Sequence, residues 1–143
     1  MILYHFTSEF HLPMIRKSGV LIPTESNIGS PIAGWPPYGQ HVGPDVVWLS
    51  SAANIVKGLG IIGFTGDFDK TGVRITVDLP DNEVVKWTKW PYRRRMNKHW
   101  RKVMEQDQLP ELWWLIERPI HDYEWVDVEV GWRQGDEKVD EAC

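Results

Sequence analysis

The stretch YEWVDVEVGW at 123–132 decides how the chain is read. Side chains alternate between the two faces of a strand. One face carries Val126, Val128, Val130 and Trp132, and must point at a core. The other carries Tyr123, Trp125, Asp127 and Glu129, which makes Asp127 and Glu129 solvent-side carboxylates. Continued backwards, the core face reaches Glu124 and then Asp122. An ionised carboxylate on such a face needs a partner or a cleft. If the strand begins only at Trp125, Glu124 is an ordinary exposed acid.

Working outward, VRITVDL at 73–79 alternates cleanly and stops at Pro80, a half-buried strand. DVVWLSS at 45–51 is another. ILYHF at 2–6 is the first, with Ile2, Tyr4 and Phe6 on one face and Leu3, His5 and Thr7 on the other. Thr7 or Ser8 can cap a helix of about ten residues that ends before Gly19, and Pro13 moves its start towards His11. Val20 to Ile22 is extended. Residues 23–45, with 5 Pro and 4 Gly, form a long loop, and 60–72 a second. Residues 52–59, the basic tract at 86–102 and the stretch 110–117 are expected to be helical. Strands at both ends with helices between them give an α+β plan, not a βαβ alternation. One domain, 1–134, is expected, with a polar, disordered tail at 135–143.

Composition narrows the function. The chain has 143 residues, 42% hydrophobic and 25% charged, and no apolar run approaches the ~20 residues of a membrane span. The N-terminus lacks a basic n-region, so no signal peptide is expected and the protein is read as cytoplasmic. Cys143 is the single cysteine, which excludes a disulfide framework and a paired-cysteine zinc module. No GxxxxGK[ST], HExxH or GxSxG motif occurs. Nine Trp are many for this length, and the net charge of −4 hides an asymmetry. Lys86 to Lys102 holds 8 basic residues and no acid, so the rest carries 8 basic against 20 acidic, or −12. Such a basic segment suits an anionic partner or is a solvated face.

Three pieces together resemble a family. YHFT at 4–7, followed by LPMI and SGVLIP, looks like the opening of ADP-ribosyltransferase-like domains. VWLSS at 47–51 is similar to their second motif, and YEWVDVEV at 123–130 to their third, a catalytic Glu before a hydrophobic strand. The small DarT-like bacterial and phage members are the nearest in character. The resemblance implies split, strongly curved, antiparallel-rich sheets with flanking helices, clasping NAD as co-substrate without a metal. It implies a catalytic set of His5, Ser50 and Glu124. His5 would bond the adenosine-side ribose, the Phe6 backbone the nicotinamide amide, and Thr7 a ribose or diphosphate oxygen. Ser50, with Ser51 as the adjacent option, would support the pocket. Asp122 would face the acceptor. The chain departs from the pattern at Phe6, where many members have Gly. It also lacks a Tyr in AANIVKGL at 52–59, for which Trp35 or Tyr38 in the long loop would substitute.

The chemistry is coherent. Cleaving the nicotinamide–ribose bond develops positive charge on the ribose, and a carboxylate facing it stabilises the transition state selectively. ADP-ribose would pass to a macromolecular acceptor, nucleic acid or protein. Arg93, Arg94 and Arg95, within a tract interleaved with Trp87, Trp90, Tyr92 and Trp100, would bind phosphates while the rings stack on bases. Two other readings stay open. One is a non-enzymatic nucleic-acid-binding module. The other is an NAD glycohydrolase or an RNA 2′-phosphotransferase-like enzyme on the same fold.

Overall fold

The computed structural model describes residues 1–23, 43–54, 64–65, 68–69, 72–96, 98–106 and 108–132. The aromatic and β-branched opening forms β1 (Ile2–Thr7). It leads into α1 (Leu12–Ser18), with His11 at its N-cap and Pro13 in the first turn, where an N–H has no intrahelical partner to lose. Gly19 ends the helix at φ 69°, its N–H bonded to the Ile15 carbonyl at 2.8 Å. Then come β2 (Val20–Leu21), β3 (Val47–Ser50), β4 (Phe64–Thr65), β5 (Phe68–Asp69), β6 (Val73–Asp78) and β7 (Val84–Lys86). Two 3₁₀ turns, Trp87–Lys89 and Pro91–Arg95, precede α2 (Lys98–Glu105). A 3₁₀ turn at Pro110–Leu112, β8 (Trp113–Ile116), β9 (Ile120–His121), another 3₁₀ turn at Asp122–Glu124 and β10 (Trp125–Val130) complete the described chain. No described helix is long and apolar enough to cross a membrane.

The α+β plan is the one expected, and its sheet is antiparallel. Six strands run in the order β10-β6-β1-β3-β8-β7, and β2–β9 and β4–β5 are separate two-stranded ribbons. β1 is pinned along its length to β6, from Ile2 opposite Asp78 to Thr7 opposite Val73. Both faces of the sheet are apolar. Leu3, Val47, Leu49, Val73, Ile75, Val77 and Ile116 form one face, packed with Leu12 and Ile15 of α1 and with Leu21 and Ile120 of the β2–β9 ribbon. Phe6, Trp48, Trp113 and Leu115 form the other, packed with Trp87, Trp90, Met96 and Trp132.

This second layer is a slab of indoles. The Trp87 ring lies 5.4 Å from Trp48, 6.0 Å from Trp90 and 6.0 Å from Trp113, tilted against each. The indole N–H of Trp87 donates to Glu105 at 2.6 Å and that of Trp90 to Glu117 at 2.8 Å. Those of Trp48, Trp113 and Trp132 meet no acceptor among the described residues.

Four expectations are corrected. The basic tract is not one helix. Trp90 precedes Pro91 and is extended at ψ 125°, so the chain breaks there and helix resumes only at Lys98. Residues 113–116, WWLI, are strand β8, because a short, bulky apolar run buried on both faces fits a sheet interior. β7 arises where no strand was expected. The last strand starts at Trp125 and carries a bulge between Trp125 and Asp127. The extra residue resets the alternation. Trp125 and Val128 therefore pack on the core, while Val126 is 61% exposed and Val130 49%. The 135–143 tail, most of 52–59 and most of the 23–45 loop lie outside the described residues.

Truncating the central indole should be costly. Trp87→Ala is expected to lose about 3–5 kcal/mol in urea unfolding, as large core aromatics do. A loss below about 1 kcal/mol, the size of an ordinary surface change, would mean that the slab does not support the sheet.

Candidate functional site

Each proposed site residue within the described range has a definite place. His5 is half-buried on the central strand, and its Nδ1–H donates to the Trp48 carbonyl at 2.9 Å, joining β1 to β3. Phe6 is buried against Trp132, ring centroids 5.4 Å apart. Thr7 is buried at the end of β1. Beyond it the Ser8 hydroxyl and His11 Nδ1 share a hydrogen bond of 2.5 Å, and the His11 N–H donates to Ser8 Oγ at 3.3 Å. Ser8 thus holds the His11 N-cap residue, and neither Thr7 nor Ser8 caps the helix itself.

Ser50 is fully buried, and its hydroxyl closes a small turn. It donates to the Ala52 carbonyl at 3.0 Å and accepts the Ala52 N–H at 2.9 Å. Ser51 is exposed, its N–H on the Leu112 carbonyl at 3.0 Å. Ser50 pairs with Tyr4, so it lies on the indole face, while His5 belongs to the opposite face. The two side chains do not form one wall around NAD, because the sheet lies between them. Trp35 and Tyr38 fall outside the described residues.

Glu124 has the partner its place requires. It ends the 3₁₀ turn rather than starting the strand. Arg118 Nη1 and Nη2 donate to its two oxygens at 2.8 and 2.7 Å, and the His121 N–H adds a third bond at 3.2 Å. Arg118 also reaches Glu83 through Nε and the Pro119 carbonyl at 2.8 Å. The Arg118 guanidinium holds the Glu124 carboxyl below the usual range, against an opposing effect of burial. Arg118 is in turn held more firmly protonated, chiefly by Glu124. Asp122 is exposed, its N–H on the Gly19 carbonyl at 2.9 Å. By register, Glu124 lies one step beyond Trp125, which is level with Val77 and Leu3. His5 is therefore roughly 10 Å away along the strands and two strand spacings, roughly 10 Å, across.

The sequence reading missed the most fully bonded polar group. Arg74 of β6 is buried and forks onto Glu129 of β10, Nη2 at 2.9 and 3.0 Å and Nε at 3.3 Å. Its Nη1 donates to the Ala53 carbonyl at 2.8 Å and Asn54 Oδ1 at 2.6 Å, and its guanidinium stacks over Trp132 at 4.7 Å. Glu129 is thus not a solvent-side carboxylate. The signal was Arg74 itself, a charge in the middle of a strand whose neighbours Phe6 and Glu129 stand opposite it.

The arginines of the tract are also sorted. Arg93 is half-buried and forks onto Glu105, both bonds 2.8 Å. Burial raises the Glu105 pKa, but the bonds from Arg93 and Trp87 outweigh it and hold the carboxyl below its usual range. Arg94 and Arg95 are exposed, Arg95 lying 5.8 Å over Tyr92.

These lowered carboxylates set a pH dependence. A carboxyl that ionises more readily in the folded state stabilises the fold above its unfolded value, about 4.3, and loses that contribution as pH falls through the folded value. The stability difference between wild type and Glu124→Gln, followed by urea midpoints, should therefore shrink as pH drops below about 4.3. A pH-independent difference would mean that the Arg118 pair is not formed in solution.

In comparison with known proteins, the chain matches no family model, no curated protein and no solved structure.

Proposed function

We propose that the chain is an NAD-dependent ADP-ribosyltransferase that cleaves the nicotinamide–ribose bond with Glu124 and passes ADP-ribose to a macromolecular acceptor. The observation that carries this reading is the adjacency of its first two motif strands. YHFT and VWLSS lie far apart in sequence, yet β1 and β3 are direct neighbours, joined by the His5–Trp48 bond. Two segments that resemble two parts of one nucleotide site are thereby neighbours in one sheet.

Glu124 has the electronic character the chemistry asks for. It is ionised at neutral pH, and a carboxylate offers about four lone-pair positions. Arg118 and His121 occupy three, leaving one for a ribose hydroxyl. Arg118 does not cancel its field, since Glu83 shares the same guanidinium and the cluster of two carboxylates and one cation keeps a net charge of −1. The distance between His5 and Glu124 suits the two riboses of one extended dinucleotide. Ser50 then acts on the turn after β3, not on the ligand.

The test is nicotinamide release from NAD in the presence of cell extract. Wild type should release nicotinamide, and Glu124→Gln should lose about 10²–10³-fold, the usual cost of a preorganised electrostatic partner. Glu83→Gln leaves Glu124 in place but brings the cluster from −1 to neutral, so turnover should fall by less than in Glu124→Gln. NAD should raise the melting temperature, and His5→Ala should weaken that rise. Full turnover in Glu124→Gln, or none in wild type, would sink the reading.

A further inference from the structure

Of the eight cations at 86–102, Lys86 is half-buried at the end of β7 and the other seven divide into two sets. Arg93 turns inward to Glu105 and lies 5.8 Å over the Trp87 ring. Arg101 Nη1 donates to the Arg93 carbonyl at 3.2 Å and ties α2 to the preceding turn. Lys89, Arg94, Arg95, Lys98 and Lys102 are exposed, and none has a carboxylate partner among the described residues. Glu105 on α2 is committed to Arg93 and Trp87, and Glu117 accepts the Trp90 indole. Glu111 is exposed on a neighbouring turn and pairs with none of the five.

These five charges sit on a braced platform. Lys98 and Lys102, four residues apart, share one face of α2, and Arg94 and Arg95 close the 3₁₀ turn just before it. Like charges at such spacing repel, and an anion carrying several charges relieves that repulsion. The remainder of the chain, at −12, repels the same anion from other surfaces, so the platform fixes where it docks. An anionic membrane would be better served by exposed aromatic anchors. Here Trp87 and Trp90 are buried, with their N–H groups already bonded. For the same reason these indoles cannot stack on bases.

We propose that Lys89, Arg94, Arg95, Lys98 and Lys102 form a nucleic-acid docking surface that grips the phosphate backbone without reading the bases. It stands independently of NAD chemistry, and its test contains no NAD.

Fluorescence anisotropy with labelled mixed-sequence oligonucleotides between about 50 and 200 mM salt measures it. Each phosphate contact adds a log–log slope of about −0.7 on a single strand and −0.9 on a duplex, so five contacts give roughly −3.5 and −4.5. Replacing Arg94, Arg95, Lys98 and Lys102 together with Gln should leave a slope near one contact and weaken binding at least about tenfold at low salt. Circular dichroism confirms that this variant folds; if it does not, the pair Arg94→Gln and Arg95→Gln is used, and should remove about two contacts from the slope. Changing the base sequence should alter affinity only a few-fold. Absence of binding at low salt, an unchanged slope in the variant, a strong sequence preference, or equally tight capture of polyglutamate would each overturn the proposal.

Discussion

Both faces of the central sheet are apolar, and neither can be left to water. One face receives α1 and a small ribbon. The other receives indoles. The described helices have only seven and eight residues, well short of the ~12–15 at which a helix approaches stability alone. Area per residue replaces helix length as the means of cover, since each Trp can bury ~150–250 Å². The high Trp content follows from this, as does the placement of Trp48, Trp87, Trp90, Trp113 and Trp132 in one layer.

Short elements with large side chains need fastening, and three arginines supply it. Arg74 ties β6 to the edge strand β10 and to the segment after β3. Arg93 ties the second 3₁₀ turn to α2. Arg118 ties Glu83, beside β7, to Glu124, beside β10, so it reaches between the two edges of the sheet order. Each makes a forked carboxylate bond, which fixes direction as well as distance. Removing one member of such a pair leaves the other charge partly desolvated, so these contacts define geometry more than they add net stability. Glu129 of β10, which resembles a surface charge in the sequence, and Glu124 just before that strand are both halves of these fasteners.

The strands were legible wherever one face alternated cleanly. VRITVDL and ILYHF form strands as expected, although the first is buried on both faces rather than half-buried, and Gly19 stops α1. What failed was parity across an irregularity. A bulge at the start of β10 is invisible in YEWVDVEV, because inserting one residue leaves the local pattern plausible while exchanging its faces. The same failure reversed Glu129, read as solvent-facing. WWLI was misread for another reason, since four bulky apolar residues carry no period at all. The strands that carry the candidate residues were legible, but the adjacency of β1 and β3 came only with the sheet order. The candidate site was not legible as a set of side chains, because the faces of His5 and Ser50 depend on register.

The tract from 87 to 96 shows how backbone period decides which residues a partner can meet. Its N–H groups at Trp90, Arg93 and Met96 bond the carbonyls at Trp87, Trp90 and Arg93, three residues back each time. At three residues per turn, positions three apart eclipse one another. Trp87, Trp90 and Met96 are buried against the sheet, and Arg93 turns to Glu105 beside them. Arg94 and Arg95 fall on the outer rows. A helix of 3.6 residues per turn would scatter the same side chains around its axis, burying some cations and exposing some indoles. The Trp90–Pro91 step prevents that helix, because Pro91 holds Trp90 extended. One proline thus separates the tract's apolar surface from its charge, and turns a sequence that mixes tryptophan and arginine into a buried aromatic layer beneath an exposed basic one.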